Sequence, residues 1–269
     1  MPKILYEDGD ILLLNKPVGW LVQKAAPGDV SLNEWMISYL LCSGQITPGE
    51  LLTFRPGVCN RLDRNTSGIV AAGKTMAGLQ FLSEAFRERW LHKYYTCIAV
   101  GEIKEPVLAE GYLIKDGRTN QVRVFSVPPV GEEAFQAIRT GYRPLFIKDG
   151  FTYLEVELFT GKTHQIRAQL AGDGHALLGD AKYMDDSGVK LRKKYHIRNQ
   201  LLHAGRIVFG NIPYGGGGGH FSYLTGMEFT APEPAEFVRV KKMLGLEGGG
   251  CKNVLEFARP ARLDARRDD

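Results

Sequence analysis

From Ile4 to Asn15, apolar and polar positions alternate on either side of Asp8-Gly9, the pattern of two strands joined by a tight turn. Ser31 precedes a run ending near Leu41 and has Glu34 three positions on, the spacing of a capping box at a helix start. Ile69 to Ala72 is short and wholly apolar, as a buried strand is. Thr75 then stands where it can cap a helix with Leu79, Leu82, Phe86 and Trp90 recurring on one face. Tyr94 to Val100 is rich in β-forming residues and ends at Gly101, and Asn120–Phe125, Phe151–Thr160 and Leu201–Phe209 read the same way. A last helix is expected from about Pro234 to Leu244, with proline near its first turn. Strands and helices do not alternate regularly, so the pattern predicts an α+β fold rather than a doubly wound sheet. Gly215 to Gly219 reads as a surface loop or hinge. Gly248 to Gly250 closes the packed part, giving one domain over 1–248 and a charged, flexible tail over 249–269.

Composition narrows the class. Hydrophobic residues make up 44% and charged residues 24% of the 269, which excludes wholesale disorder. The longest apolar runs are a few residues, as in Ile11 to Leu14, far short of the roughly 20 a membrane-spanning helix needs. Glu7, Asp8 and Asp10 precede any apolar stretch, so no secretory leader is expected. The cysteines (Cys42, Cys59, Cys97, Cys251) form no C-x-x-C pair, which points to reduced thiols and a cytoplasmic protein. The histidines show no metal-ligand spacing, so no zinc site is expected. A net charge of 34 − 30 = +4 permits a polyanionic partner without demanding one.

Two segments carry candidate chemistry, and one imitates chemistry it lacks. Gly161-Lys162-Thr163 resembles the end of a phosphate-binding loop, but the glycine required five positions before Gly161 is Val156. Asn60 to Gly68 places Asp63 between Arg61 and Arg64 in a turn-rich loop. The plain reading is an Asx-type turn with solvated arginines. The functional one is a carboxylate nucleophile or base with cations beside it. Gly161 to Arg167 adds another fixed cation in the first turns of a helix, and alone reads as a capped helix.

Taken together and in order, these segments resemble the RluA-type pseudouridine synthases. Lys3 to Lys16-Pro17 is similar to the family's opening hairpin, and Arg61-Leu62-Asp63-Arg64-Asn65-Thr66-Ser67-Gly68 to its catalytic signature. Lys93-Tyr94-Tyr95 before Gly101 matches its K-x-Y strand. Gly161 to Arg167 with Leu178 to Tyr183 matches a third block, and Leu202-His203-Ala204 a strand near the pocket. The chain departs from the pattern at Asn60, Gln169 and Met184, none of which the resemblance assigns to bond chemistry.

The resemblance implies a mixed, largely antiparallel sheet with flanking helices and a central cleft. It implies an isomerase that converts specific uridines of structured RNA, rRNA or tRNA, to pseudouridine without metal or cofactor. Asp63 would be the catalytic carboxylate and Arg167 its partner. Tyr95 would lie on the uracil face and have a possible share in removing the C5 proton, and Leu202 would form an apolar wall. Arg61 would fill the gap left by the flipped nucleotide, and Arg64 would contact the RNA. The chain begins at the catalytic hairpin, so the RNA is expected to be held by this domain itself. Lys190 to Arg198, including Lys193 and Lys194, reads either as a solvated loop or as a phosphate-contacting edge beside the pocket. His164 reads as a structural hydrogen-bonder. A monomer is expected, with no membrane or DNA partner. A noncatalytic RNA-binding or ribosome-assembly factor on the same fold is the alternative, against which the retention of Asp63, Tyr95 and Arg167 speaks.

Overall fold

The computed structural model describes residues 1–116, 121–131, 134–213 and 216–247. The chain runs β1 (Lys3–Glu7), β2 (Ile11–Lys16), α1 (Leu32–Cys42), β3 (Gly57–Val58), β4 (Ser67–Gly73), α2 (Met76–Arg87) and β5 (Leu91–Val100). It continues through β6 (Val107–Lys115), β7 (Val122–Phe125), β8 (Gln136–Lys148), β9 (Phe151–Leu158), α3 (Gln165–Gly172) and α4 (Asp186–Lys194). The last elements are β10 (Leu202–Phe209), β11 (Glu228–Thr230) and α5 (Ala235–Met243). The strands form one sheet in the order β1-β2-β4-β10-β5-β9-β8-β6-β7, with β3 beside β4 and β11 beside β10. All these pairings are antiparallel except β4 with β10, so the α+β, mixed and largely antiparallel expectation holds.

Side-chain alternation explains why helices cover the sheet. In β2, Ile11 and Leu13 face one way and join Phe81, Leu82 and Ala85 of α2, while Leu12 and Leu14 face the other way and join Leu32, Met36 and Leu40 of α1. A strand sandwiched between two helices is apolar at every position, and Ile11 to Leu14 is. Further along, Tyr95, Cys97 and Val156 meet Ile166 and Leu170 of α3, and Ile98 and Phe151 meet Phe237 and Val240 of α5.

The anticipated caps are present. Ser31 Oγ accepts from the Glu34 N–H (3.3 Å), and Thr75 Oγ1 from that of Gly78 (3.1 Å). Several expectations need correction. The buried face of α2 is Gly78, Phe81, Leu82 and Ala85; Leu79 and Phe86 are half-buried and Trp90 lies beyond the helix end. The first turns of α3 are not a side-chain cap, because His164 at the N-cap is left-handed (φ 53°) and makes no capping bond. Instead Gln165 Oε1 accepts from the Lys162 N–H (3.1 Å) and from Thr160 Oγ1 (2.9 Å). The basic run is no loop over its first half: it is α4, capped by Asp185. Gly216 onward opens a 3₁₀ helix reaching Leu224 rather than a loop; Gly215, the start of the Asn120–Phe125 run and the 249–269 tail lie outside the described residues. Among the described residues, no helix is long and apolar enough to cross a membrane.

Candidate active site

The parallel contact between β4 and β10 sets the geometry of the site. Ser67 pairs with His203 and Gly68 with Ala204. Gly68 has φ +115°, and a Cβ there would stand 2.1 Å from the Ala204 carbonyl oxygen, so this approach requires glycine. The Asp63 loop thereby ends beside the start of β10, where Leu202 lies. The turn here is closed by backbone, the Thr66 N–H donating to the Asp63 carbonyl (3.0 Å), while the Asp63 carboxylate accepts from Arg167 on α3. The Asx-turn reading is therefore overturned.

Asp63 points across the sheet to α3. Arg167 Nη1 donates to Asp63 Oδ2 at 2.7 Å, while Nε and Nη2 grip Asp180 Oδ2 and Oδ1 at 2.7 and 2.9 Å. Asp180 is fully buried and also accepts from the Lys182 N–H (2.9 Å). Burial by itself would lower the Arg167 pKa; the bonds and charge of Asp180, and then of Asp63, outweigh it and raise it. The guanidinium is thus a permanent cation with two fixed carboxylates, one structural and one facing the cavity. Its carbon lies 5.2 Å from the centre of the Tyr183 ring, a cation–π contact. Tyr183 Oη accepts from the Val122 N–H (3.0 Å) and bonds His164 Nδ1 (2.9 Å), which leaves His164 Nε2 3.9 Å from Asp63. Burial lowers the His164 pKa despite the charge of Asp63, so the ring is a neutral hydrogen-bonder.

A second buried charge anchors the loop from beneath. Lys16, fully buried at the end of β2, donates to the carbonyls of Pro17 (3.1 Å), Trp20 (2.9 Å) and Arg64 (3.0 Å). Burial pulls its pKa down to about 7, with the charge of Asp63 acting in the other direction. Three carbonyls match the three N–H bonds of an ammonium, and a neutral amine would leave one without a donor.

Asp63 and Arg167 border a cavity of about 470 Å³ also lined by Arg61, Tyr95 and Leu202, together five of the eight residues the sequence singled out. Tyr95 rises from β5 and is buried; burial first, then the charge of Asp63, raises its phenol pKa, so it presents a neutral ring. The other three do not line it. Arg64 turns away and donates through Nε to the Gly19 carbonyl (3.3 Å). Lys193 and Lys194 sit in the last turn of α4, the latter over the Tyr195 ring (5.1 Å), and neither lines the cavity. Asn60 and Gln169 have structural bonds: Asn60 Oδ1 accepts from the Ala71 N–H (2.8 Å), and Gln169 Oε1 from Thr140 Oγ1 (2.6 Å). The roles of Asp180 and Lys16 were missed. The signals were an acid inside the Leu178–Tyr183 block and a lysine closing a wholly apolar strand before Pro17.

A family model described as RNA pseudouridylate synthase matches residues 10–172, a stretch holding Asp63, Tyr95 and Arg167. The chain belongs to that family. Among curated relatives, an uncharacterised RNA pseudouridine synthase of Mycoplasma genitalium is 30% identical over 208 residues, covering 77% of this chain and 63% of the relative. One of Chloroflexus aurantiacus is 32% identical over 233 residues, covering 86% and 65%. The ribosomal large subunit pseudouridine synthase D of Zymomonas mobilis is 28% identical over 216 residues, covering 77% and 64%. The chain thus spans less than two thirds of the length of these relatives. The structure of human RNA pseudouridylate synthase domain containing 4 superposes with a TM-score of 0.70 at 19% identity, over 90% of this chain and 92% of that one, which shows a shared fold.

Proposed function

We propose that residues 1–248 are the catalytic unit of an RNA pseudouridine synthase in which Asp63 carries the chemistry. The observation that supports this most directly is the Asp63 carboxylate, held at 2.7 Å by an arginine that a buried aspartate fixes in turn, at the wall of a nucleotide-sized cavity. Asp63 acts as nucleophile toward the target uridine or as the base that starts its cleavage, with Arg167 aiming it and balancing its charge. The bond from uracil N1 to the ribose breaks and the freed ring turns. C5 then bonds the same ribose carbon, and the C5 proton leaves as N1 gains one. Atoms and electrons balance within the isomer.

Tyr95 and Leu202 supply flat apolar contact for the turning ring. As a neutral phenol Tyr95 is a weak base, so its surroundings favour stacking over taking the C5 proton itself. Arg61, exposed at the cavity rim, replaces the stacking lost when the nucleotide leaves the RNA, a loss of a few kcal/mol. The name of the Zymomonas relative makes ribosomal RNA the first substrate to try, with tRNA second. The test is nucleoside analysis of unmodified rRNA and tRNA transcripts incubated with the protein. Pseudouridine at one or a few positions is expected. RNA bound without any pseudouridine would favour the noncatalytic RNA-binding reading.

A further inference from the structure

The cavity that holds Asp63 carries more positive charge than its chemistry uses. Five cations line it, Arg61, Arg87, Lys93, Lys162 and Arg167, against the single carboxylate of Asp63. Arg167 is matched by Asp63 and Asp180, and Arg87 by Glu84 (3.4 Å) and Glu88 (3.0 Å). Arg61 and Lys162 are exposed and can be solvated. Lys93 is different. It is half-buried in the cavity wall, and among the described residues it makes no ion pair or side-chain hydrogen bond. A desolvated cation without a partner is costly unless a ligand supplies the missing charge.

The surroundings of Lys93 are shaped to leave room at its tip. A Cβ at Gly161 would stand 3.3 Å from the Lys93 ammonium, so the glycine leaves space there that a side chain would contest. Lys93 and Tyr95 are two apart on β5 and share a face, about 7 Å along the strand. That is the reach from the base of a nucleotide to a neighbouring backbone phosphate.

We infer that Lys93, with Lys162 beside it, forms an anion subsite that takes a backbone phosphodiester of the RNA next to the nucleotide stacked on Tyr95. The assignment of RNA as the ligand rests on the synthase reading above. Burial, and then the charge of Arg89, pull the Lys93 pKa down to about 8. The other charged groups around the cavity are Arg61, Arg87, Lys162 and Arg167, which act in the same sense, and Asp63, which opposes them; the titratable His164 also lines it, with its pKa lowered by burial. An anion binds the ammonium form, so affinity falls as pH rises from about 7 to about 9, through the Lys93 value.

Binding of a short fluorescein-labelled oligouridylate to the full chain, across salt and pH, tests this without turnover. Lys93→Met is expected to weaken binding about tenfold and to reduce the salt slope by about 0.7, one single-strand phosphate. Lys93→Arg, charged throughout, should bind as wild type does near pH 7 and lose the decline above it. A folded Lys93→Met protein with wild-type affinity and slope would overturn the subsite. So would a Lys93→Arg protein that keeps the pH decline. Lys93-dependent binding with no pseudouridine from any transcript would overturn the synthase reading and keep the subsite. Pseudouridine formation without Lys93 dependence would overturn the subsite alone.

Discussion

Asp63 and Arg167 are 104 residues apart in sequence and 2.7 Å apart in space, and Asp180 makes that meeting specific. A bidentate carboxylate fixes the guanidinium plane, and with it the direction in which Nη1 donates to Asp63. Asp180→Asn keeps the shape but removes a buried charge from a buried cation. Denaturant unfolding should lose about 3 kcal/mol or more, and isomerisation should fall even in the folded fraction because Arg167 no longer aims Asp63. Unchanged stability and turnover would contradict this assignment. Lys16→Met strands three carbonyls, one of them Arg64's, at about 1 kcal/mol or more each. Hydrogen exchange in the 60–66 loop should rise, and exchange equal to wild type would show that the lysine does not anchor it.

At the scale of elements, the site depends on one parallel strand pair inside an otherwise antiparallel sheet. Gly68→Ala forces a Cβ to within 2.1 Å of the Ala204 carbonyl at a left-handed φ, so β4 and β10 must separate. A loss of roughly 3 kcal/mol or more is expected, read as a large fall in Tm. A wild-type Tm would mean that the backbone absorbs the strain. Elements with strong local signals were legible: the β1–β2 hairpin, the capped starts of α1 and α2, and the apolar core of β4. β6, β8 and α4 were not read, for a physical reason. Gly111, Gly141, Pro144 and Gly188 look like punctuation along the chain, yet Gly188 lies within α4 and Pro144 sits at the β8 register shift, where a missing N–H does no harm.

Across the whole molecule, stability should fall in mild acid because two histidines, the buried His203 and the half-buried His164, are neutral. His203 bonds Ser67 Oγ (2.8 Å) and the Ala231 carbonyl (3.0 Å) where β4 meets β10. Burial lowers its pKa, outweighing the upward pull of that carbonyl and of Glu233, and His164 is lowered as well. The unfolded chain therefore binds more protons below about 6.5, so stability is full above that value and declines beneath it. Denaturation midpoints between about pH 7 and pH 5 should show this, and His203→Gln should flatten part of the decline. A profile unaltered by that substitution would remove His203 from the account. Short motifs picked out Asp63, Tyr95, Arg167, Arg61 and Leu202 as candidates, and these five line one cavity. Which cations face it was not legible. Arg64, Lys193 and Lys194 look as basic as Lys93 and Lys162 in sequence, and only the sheet order sorts them.

The proposed role of the Asp63 carboxylate is to perform the isomerisation inside this cavity. It is tested most directly by tritium release from rRNA labelled at uridine C5, comparing wild type with Asp63→Asn while RNA binding is followed in the same samples. Release by the wild type and none by Asp63→Asn, at similar RNA affinity, is the predicted result. Equal release by both proteins would contradict it.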